Sequence, residues 1–448
     1  MNYCKNRRRR KILRMNTENR LLQQFAKYVS QSIAGMIGIS IYILADTFFI
    51  ARHSGADGLT VLNLALPVYG LIFAIGAMIG IGSATRYAIR KAQGEKNIDH
   101  YFTSSVLWCA IISIPFILLG IFVPEQVMKL MGADETIIRL GVSYFRIFLG
   151  VSPFFMINYT FTAFARNDHA PTLVMIASLC GSSFNILFDY LFMFPCGMGL
   201  AGAALATALS PVVTMMVCCI HYFGKNCSVG FQWRVPSIRH LAACCQFGVP
   251  SFVGEISSAV TTAVFNMLIL GIAGNTGIAA YGVIANISLV AMSIFNGISQ
   301  GTQPLISNYY GSGNTRTVKT LLKSGIFVTI LAQAVIIGGT WGFTDLLIGI
   351  FNSEGNALLL QYAHDGMRLY FLGYALAGIN ILLAGYFSAT GRITQAFAAS
   401  ISRGVVAIVI CAVIMAKIWG MNGVWLSFLA AEVITFAVIL VMNRKEKH

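Results

Sequence analysis

Twelve stretches of this chain are each long enough, apolar enough and poor enough in charge to cross a lipid bilayer, a pattern no water-soluble fold can bury. They run over 29–51, 60–84, 103–123, 140–164, 172–194, 201–223, 245–272, 278–303, 324–349, 368–389, 395–416 and 423–442. About 20 residues at 1.5 Å rise span the hydrocarbon core as a helix. With no water to satisfy the backbone there, helices are the spanning element these lengths permit. Composition agrees: 57% of the 448 residues are hydrophobic and 10% are charged, against about 25% charged in an ordinary soluble domain. The expected fold is an all-α polytopic membrane protein of twelve transmembrane helices in two pseudo-symmetric six-helix lobes.

The net charge of +15 follows from orientation rather than from a nucleic-acid partner. Lys and Arg crowd the N-terminal segment and the even-numbered connections, at Arg86, Arg90, Lys91 and Lys96, at Arg166, at Lys225, Arg234 and Arg239, at Arg316, Lys319 and Lys323, and at Arg392. Few lie on the other side, and Arg403 alone falls inside a helix. The positive-inside rule then puts both termini in the cytoplasm, in the cell (plasma or inner) membrane. The basic run RRRRK at 7–11 reads as a tail beside anionic lipid. The polar stretch NTENRLLQQ that follows is wrong for a signal peptide, and either Met1 or Met15 can be the start. The ten Cys show no metal or disulfide spacing and read as small hydrophobes.

The two halves repeat one another. A shift of 219 residues pairs Gly35 with Gly254, Gly55 with Gly274, Gly58 with Gly277, Ile79 with Ile298, Gly82 with Gly301 and Gly94 with Gly313. A shift near 223 lays FLG at 148–150 on FLG at 371–373 and Phe164 on Phe387, and one of 221 lays GLAGAALA (199–206) on GMNGVWLS (420–427). An even number of spans separates the copies, so they share one orientation, as in transporters built from parallel repeats. The implied organisation is a basic tail at 1–28, an N-lobe at 29–223, a linker at 224–244, a C-lobe at 245–442 and a tail at 443–448.

Four acidic residues fall well inside the apolar blocks: Asp46, Asp189, Glu255 and Glu432. A charge at the bilayer centre costs about 2.5–3.5 kcal/mol on insertion scales, so such residues face protein or water and often handle protons or ions. Each can also be a plain interhelical hydrogen-bond partner. Asp189 stands apart because Asn185 lies one helical turn before it on the same face, so both can converge on one small ligand, a proton or a Na⁺ ion. Asp46 is the second carboxylate of that half. Glu432 and Arg403 read as a structural pair across helices 12 and 11.

Several segments resemble the multidrug and toxin extrusion (MATE) transporters, nearest their DinF-like or MepA-like branch. ADTFFIA at 45–51 is similar to the first-helix motif, FNILFDYLF at 184–192 to the fifth, GLAGAALAT at 199–207 to the start of the sixth, and GISQGTQPLISNYYGSG at 297–313 to the end of the eighth. The likeness covers the chain after about residue 20. It implies a cation site in the N-terminal half formed by Asp46, Asn185, Asp189 and Thr207, with Asn158 as a looser addition and Glu255 as a secondary candidate. The first helix here lacks the proline at which some relatives bend.

These readings converge on a secondary transporter, not an enzyme: an antiporter driven by H⁺ or Na⁺, with no cofactor, that exports amphiphilic and often cationic drugs by alternating access and acts as a monomer. Phe154, Phe155, Met156 and Tyr159 are candidate cavity residues, although most Phe and Met in such a chain simply pack helices or face lipid. The rival is a flippase for a lipid-linked precursor, which needs basic groups inside its cavity, whereas nearly all Lys and Arg here lie at helix ends. A membrane enzyme needs a catalytic cluster within helices and a channel needs a repeated filter motif; neither pattern occurs in the sequence.

Overall fold

The computed structural model describes residues 2–235, 237–351 and 357–445. Met1, the side chains of the 7–11 run and of Met15, and the chain end from 446 lie outside the described residues. Among those described, eight helices are long and apolar enough to span a bilayer, or ten when each of two bent pairs counts as one span. Two of these, Ile238–Gly311 and Ile393–Asn443, each break at one glycine into two arms of spanning length, which accounts for twelve.

The spans are α1 (Asn19–Gly55), α2 (Asp57–Ala92), α3 (Tyr101–Phe122), α4 (Glu135–Gly150 with Ser152–Asn167, bent by 44°), α5 (Pro171–Met193) and α6 (Gly199–Tyr222). After a linker come α7 (238–273), α8 (275–311), α9 (Thr315–Gly342), α10 (Ala357–Phe371 with Tyr374–Ala389, bent by 47°), α11 (393–419) and α12 (421–445). The first six and the last six form the two lobes, each with its own apolar core.

The internal repeat has a physical basis. Gly55, between α1 and α2, has φ 58°, and its mate Gly274, between α7 and α8, has φ 61°. Both sit in the left-handed region that a side chain disfavours, so each lobe opens with the same glycine-hinged hairpin. The paired FLG segments lie at the bends of α4 and α10, with Phe148 and Phe371 fully buried.

Two boundaries differ from the sequence reading. The helix of α1 is already formed before residue 29, and Phe25, Tyr28 and Val29 are buried against the C-lobe core. Likewise α7 starts at 238, within the stretch read as linker, and Leu241 and Cys244 pack on the N-lobe. In both places apolar residues at helical spacing hide among polar ones, so an amphipathic helix reads as a polar segment.

These two crossing ends bring the lobes together on the face that carries the connections after α2, α4, α6, α8 and α10. Gly82 of α2 meets α7 so closely that a Cβ there would lie 2.4 Å from the Cys244 carbonyl oxygen and 2.8 Å from the Gly248 nitrogen. Gly301 of α8 meets α1 in the same manner, its Cβ position lying 2.7 Å from the Tyr28 carbonyl oxygen. The linker is clasped to the N-lobe through Asp168, just past the end of α4. Asp168 accepts from Lys91 Nζ (3.0 Å), from the Ser228 amide (2.8 Å) and from the Ser228 hydroxyl, and faces His221 Nε2 (2.9 Å). Burial would push this carboxyl's pKa up, but the hydrogen bonds from Ser228 and Lys91 outweigh it and hold the pKa below the ordinary value.

Candidate cation site and central cavity

Helices α1 and α5 run side by side, pairing residues that lie 141 to 143 positions apart. Tyr28 Oη lies 3.2 Å from His169 Nδ1, Gln31 Nε2 donates to Thr172 Oγ1 at 2.9 Å, and a Cβ on Gly35 would touch Ser178 at 3.6 Å. Carried further along the helices, that pairing brings the Asp46 and Asp189 carboxyl groups beside one another. Small residues permit the close approach, as is usual between helices in lipid.

The α5–α6 pair is built the same way, antiparallel. Ser210 Oγ donates to the Gly181 carbonyl oxygen at 2.9 Å, and a Cβ on Gly202 would lie 2.8 Å from the Phe192 carbonyl carbon. Between these two contacts Asn185 Nδ2 donates to Thr207 Oγ1 at 3.1 Å. The glycines and alanines of GLAGAALAT thus place Thr207 where Asn185 can reach it.

Asp46, Asn185, Asp189 and Thr207 therefore form one cluster, all of them buried. Its oxygens are short of donors. Among the described residues, both carboxylate oxygens of Asp189, Asp46 Oδ1 and Asn185 Oδ1 are buried without a hydrogen-bond partner. Buried polar atoms are ordinarily satisfied, and two adjoining carboxylates cannot both carry charge without a compensating cation. The donor set is all oxygen and partly anionic, which suits a proton shared between carboxyls or a hard cation such as Na⁺.

Beside the cluster lies a cavity of about 450 Å³ walled by both lobes. Thr207, Asn158 and Glu255 line it. Asn158 Oδ1 is another buried acceptor without a partner, but no hydrogen bond among the described residues joins Asn158 to the α5 pair. Glu255 of α7 accepts from Tyr159 Oη of α4 at 3.0 Å, so it bridges the lobes across the cavity rather than joining Asp46 and Asp189.

Of the four candidate cavity residues, Phe155 and Tyr159 line the space. The other two require correction. Phe154 is turned outward and 42% exposed, and Met156 is fully buried in the N-lobe core, where its backbone abuts Gly76 of α2. One face of α4 carries 155 and 159, four residues apart, and the residues either side of 155 point elsewhere.

Two basic groups reach the cavity wall, one from the end of α4 and one, Arg403, that the sequence already places inside a helix. Arg166 and Arg403 both line the cavity. Arg166 donates to Gln300 Oε1 at 2.7 Å, from one lobe to the other. Arg403 Nε lies 2.7 Å from Glu432 Oε1, the pairing the sequence suggested, and Asn380 Nδ2 donates to Glu432 Oε2 at 2.7 Å. Sequence reasoning missed Asn380 and also Tyr42, which lines the cavity one turn before Asp46. The signal available was a polar residue within an apolar helix for the first, and the four-residue spacing for the second.

Comparisons with known proteins match this architecture. The family model MatE fits residues 32–191 and again 250–413, once per lobe. The multidrug export protein MepA of Staphylococcus saprophyticus is 29% identical over 412 residues, covering 91% of this chain and 89% of that protein. Its namesake in Staphylococcus aureus is 28% identical over 397 residues, with coverage of 88% and 86%. Among solved structures, an outward-facing multidrug resistance MATE family transporter of the MOP superfamily superposes with TM-score 0.87 at 21% identity, covering 94% of this chain and 95% of that one. A MOP superfamily transporter from Pyrococcus furiosus gives 0.86 at 21%, again covering 94% and 95%. These two structures share the fold. With its model repeated over both lobes, the chain belongs to the MatE family of membrane transporters.

Proposed function

We propose that the protein is a cation-coupled antiporter that exports amphiphilic organic compounds from the cytoplasm by alternating access, with both termini cytoplasmic. The observation that carries this reading is the juxtaposition of Asp46 and Asp189, whose buried oxygens are short of donors among the described residues, beside a cavity shared by two lobes. A proton or Na⁺ entering there neutralises the pair. That changes the relative stability of the two lobe arrangements, which is all a coupling ion has to do. One charge crossing 100 mV supplies about 2.3 kcal/mol, or roughly a 50-fold concentration ratio. The relatives named for multidrug export support the substrate class.

Arg166 and Arg403 give the flippase reading a foothold, since they could meet an anionic headgroup. The charges lining the cavity nevertheless cancel, because Glu255 and Glu432 accompany the two arginines. A lipid-linked diphosphate would require a positive excess.

The test is transport of a fluorescent lipophilic cation in proteoliposomes under an imposed pH or Na⁺ gradient, with Asp189→Asn in parallel. Gradient-driven movement in the parent protein, falling to background in the variant, is expected. Equal movement in both removes Asp189 from the coupling. Movement of a labelled lipid-linked substrate with none of the cation selects the flippase.

A further inference from the structure

On the face that carries the connections after α2, α4 and α6, three side chains of different metal-ligating kinds converge. They are Asp168 at the end of α4, His221 in the last turn of α6 and Cys227 in the linker. None of them lines the central cavity. One ligand atom from each lies within 4.8 Å of the other two. Tetrahedral Zn²⁺, with Zn–O and Zn–N of about 2.1 Å and Zn–S of about 2.3 Å, needs ligand atoms roughly 3.4–3.6 Å apart. Asp168 Oδ2 and His221 Nε2, at 2.9 Å, have to part only slightly to admit it.

The fold fixes each member. Asp168 caps α4, its amide donating to the Phe164 carbonyl oxygen at 2.8 Å, and its side chain is fully buried. Cys227 follows shortly after α6, in a turn where its amide donates to the Gly224 carbonyl oxygen at 3.2 Å. Tyr87 of α2 holds that turn from the other side, donating to the Ser228 carbonyl oxygen at 2.9 Å. The two carboxylate oxygens are used differently. Lys91 Nζ and the Ser228 hydroxyl hold Oδ1, whereas Oδ2 faces His221 and accepts from the Ser228 amide. A ligating carboxylate ordinarily keeps such outer partners, which orient it. A divalent ion with one carboxylate and one thiolate is neutral, so the Lys91 ammonium meets no added positive charge. His221 and Cys227 remain partly exposed, which leaves an entry from water to the buried carboxylate.

We infer that Asp168, His221 and Cys227 form a binding site for a divalent transition-metal ion, Zn²⁺ by its chemistry, with water as fourth ligand, and that the ion pins the linker to the ends of α4 and α6. The thiolate selects Zn²⁺ against Mg²⁺ and Ca²⁺, which prefer oxygen ligands. The all-oxygen cluster at Asp46 and Asp189 has the opposite character. On binding, the Cys227 thiol proton goes to solvent, and His221 carries its single proton on Nδ1 so that the Nε2 lone pair faces the ion. Positions 168, 221 and 227 form no metal-binding spacing in the sequence, so only the folded chain brings the set together.

The experiment titrates Co²⁺ into the purified full-length protein, chelator-treated and without a histidine tag, and follows its absorption. One equivalent is expected to give a thiolate-to-cobalt charge-transfer band and tetrahedral d–d bands, discharged by Zn²⁺ and untouched by Mg²⁺. Cys227→Ser is expected to abolish the charge-transfer band. His221→Gln, whose amide can still donate to Asp168, is expected to raise the Co²⁺ Kd at least about tenfold. Zn²⁺ is expected to raise the melting temperature of the parent protein and not that of the double variant Cys227→Ser/His221→Gln. An undiminished charge-transfer band in Cys227→Ser, an unchanged Kd in His221→Gln, or no tetrahedral Co²⁺ in the parent protein overturns the site. An equal rise in melting temperature for parent and double variant puts the ion elsewhere and overturns it too.

Discussion

The two lobes share a backbone plan and handle buried acid in opposite ways. In the N-lobe, Asp46 and Asp189 face each other with their oxygens short of donors. The repeat positions in the C-lobe are apolar: Asp46 corresponds to Phe265, which is fully buried, and Asp189 falls near Cys411. The C-lobe instead buries Glu432, at a position without an acidic counterpart in the N-lobe, and surrounds it with Arg403 and Asn380. One lobe leaves its buried acids short of donors among the described residues, and the other surrounds its acid with them. Duplication supplied the scaffold, and the divergence of a handful of side chains makes the two lobes treat buried acid differently.

The sharpest way to break that contrast is to remove the acids and compare stability. Glu432→Gln leaves the largely covered Arg403 without its counter-charge and is expected to destabilise by about 3 kcal/mol. Asp46→Asn and Asp189→Asn remove carboxylates whose buried oxygens Asp46 Oδ1, Asp189 Oδ1 and Asp189 Oδ2 lack a partner among the described residues. They are expected to melt no lower than the parent protein in detergent, even where transport is lost. If the two Asn variants melt as low as Glu432→Gln, the N-lobe acids are structural and the contrast fails.

How much of this was legible beforehand follows from the physics of helices in lipid. Breaks were legible, because Gly55 and Gly274 occupy a backbone region that leaves a mark in composition. Asn185 and Asp189 were legible because polar residues in an apolar helix are costly and their spacing fixes a common face. Rotation was not. In water the apolar face of a helix points inward, but here lipid and core are equally apolar, so nothing in the sequence told Phe155 from Phe154, or showed that Asn380 turns toward Glu432. Arg166 was assigned to a helix end, and its reach into the cavity depends on how α4 packs against α8. The starts of α1 and α7 were missed because a half-polar helix crossing to the other lobe lacks the uniform apolar run of a span.

The pseudo-symmetry makes a second prediction. Gly82 and Gly301 are repeat mates at equivalent close contacts between lobes, one on α7 and the other on α1. Valine at either site overpacks the contact by about 1–3 kcal/mol. Because the partner is backbone, relief comes from separating the lobes on this face. Both variants are expected to shift the population toward the separated arrangement by roughly 5- to 150-fold, read as spin-label distances across the two lobes. A shift for one glycine alone would show that the lobes close asymmetrically.

The smallest effect discriminates the ion. Thr207 accepts from Asn185 Nδ2, which leaves Asn185 Oδ1 free of that contact and available beside Asp189. Thr207→Val keeps the shape and deletes the acceptor, at a cost of about 1 kcal/mol for one hydrogen bond. Asn185 is then free to reorient. If Na⁺ is bound through neutral oxygens as well as carboxylates, its half-saturating concentration should rise by about fivefold, measured as Na⁺-driven substrate release in proteoliposomes. A proton needs only the Asp46–Asp189 pair and should leave the pH dependence of transport nearly where it was. The same substitution therefore reads out whether the N-lobe site uses all its oxygens or only the two acids that set it apart from the C-lobe.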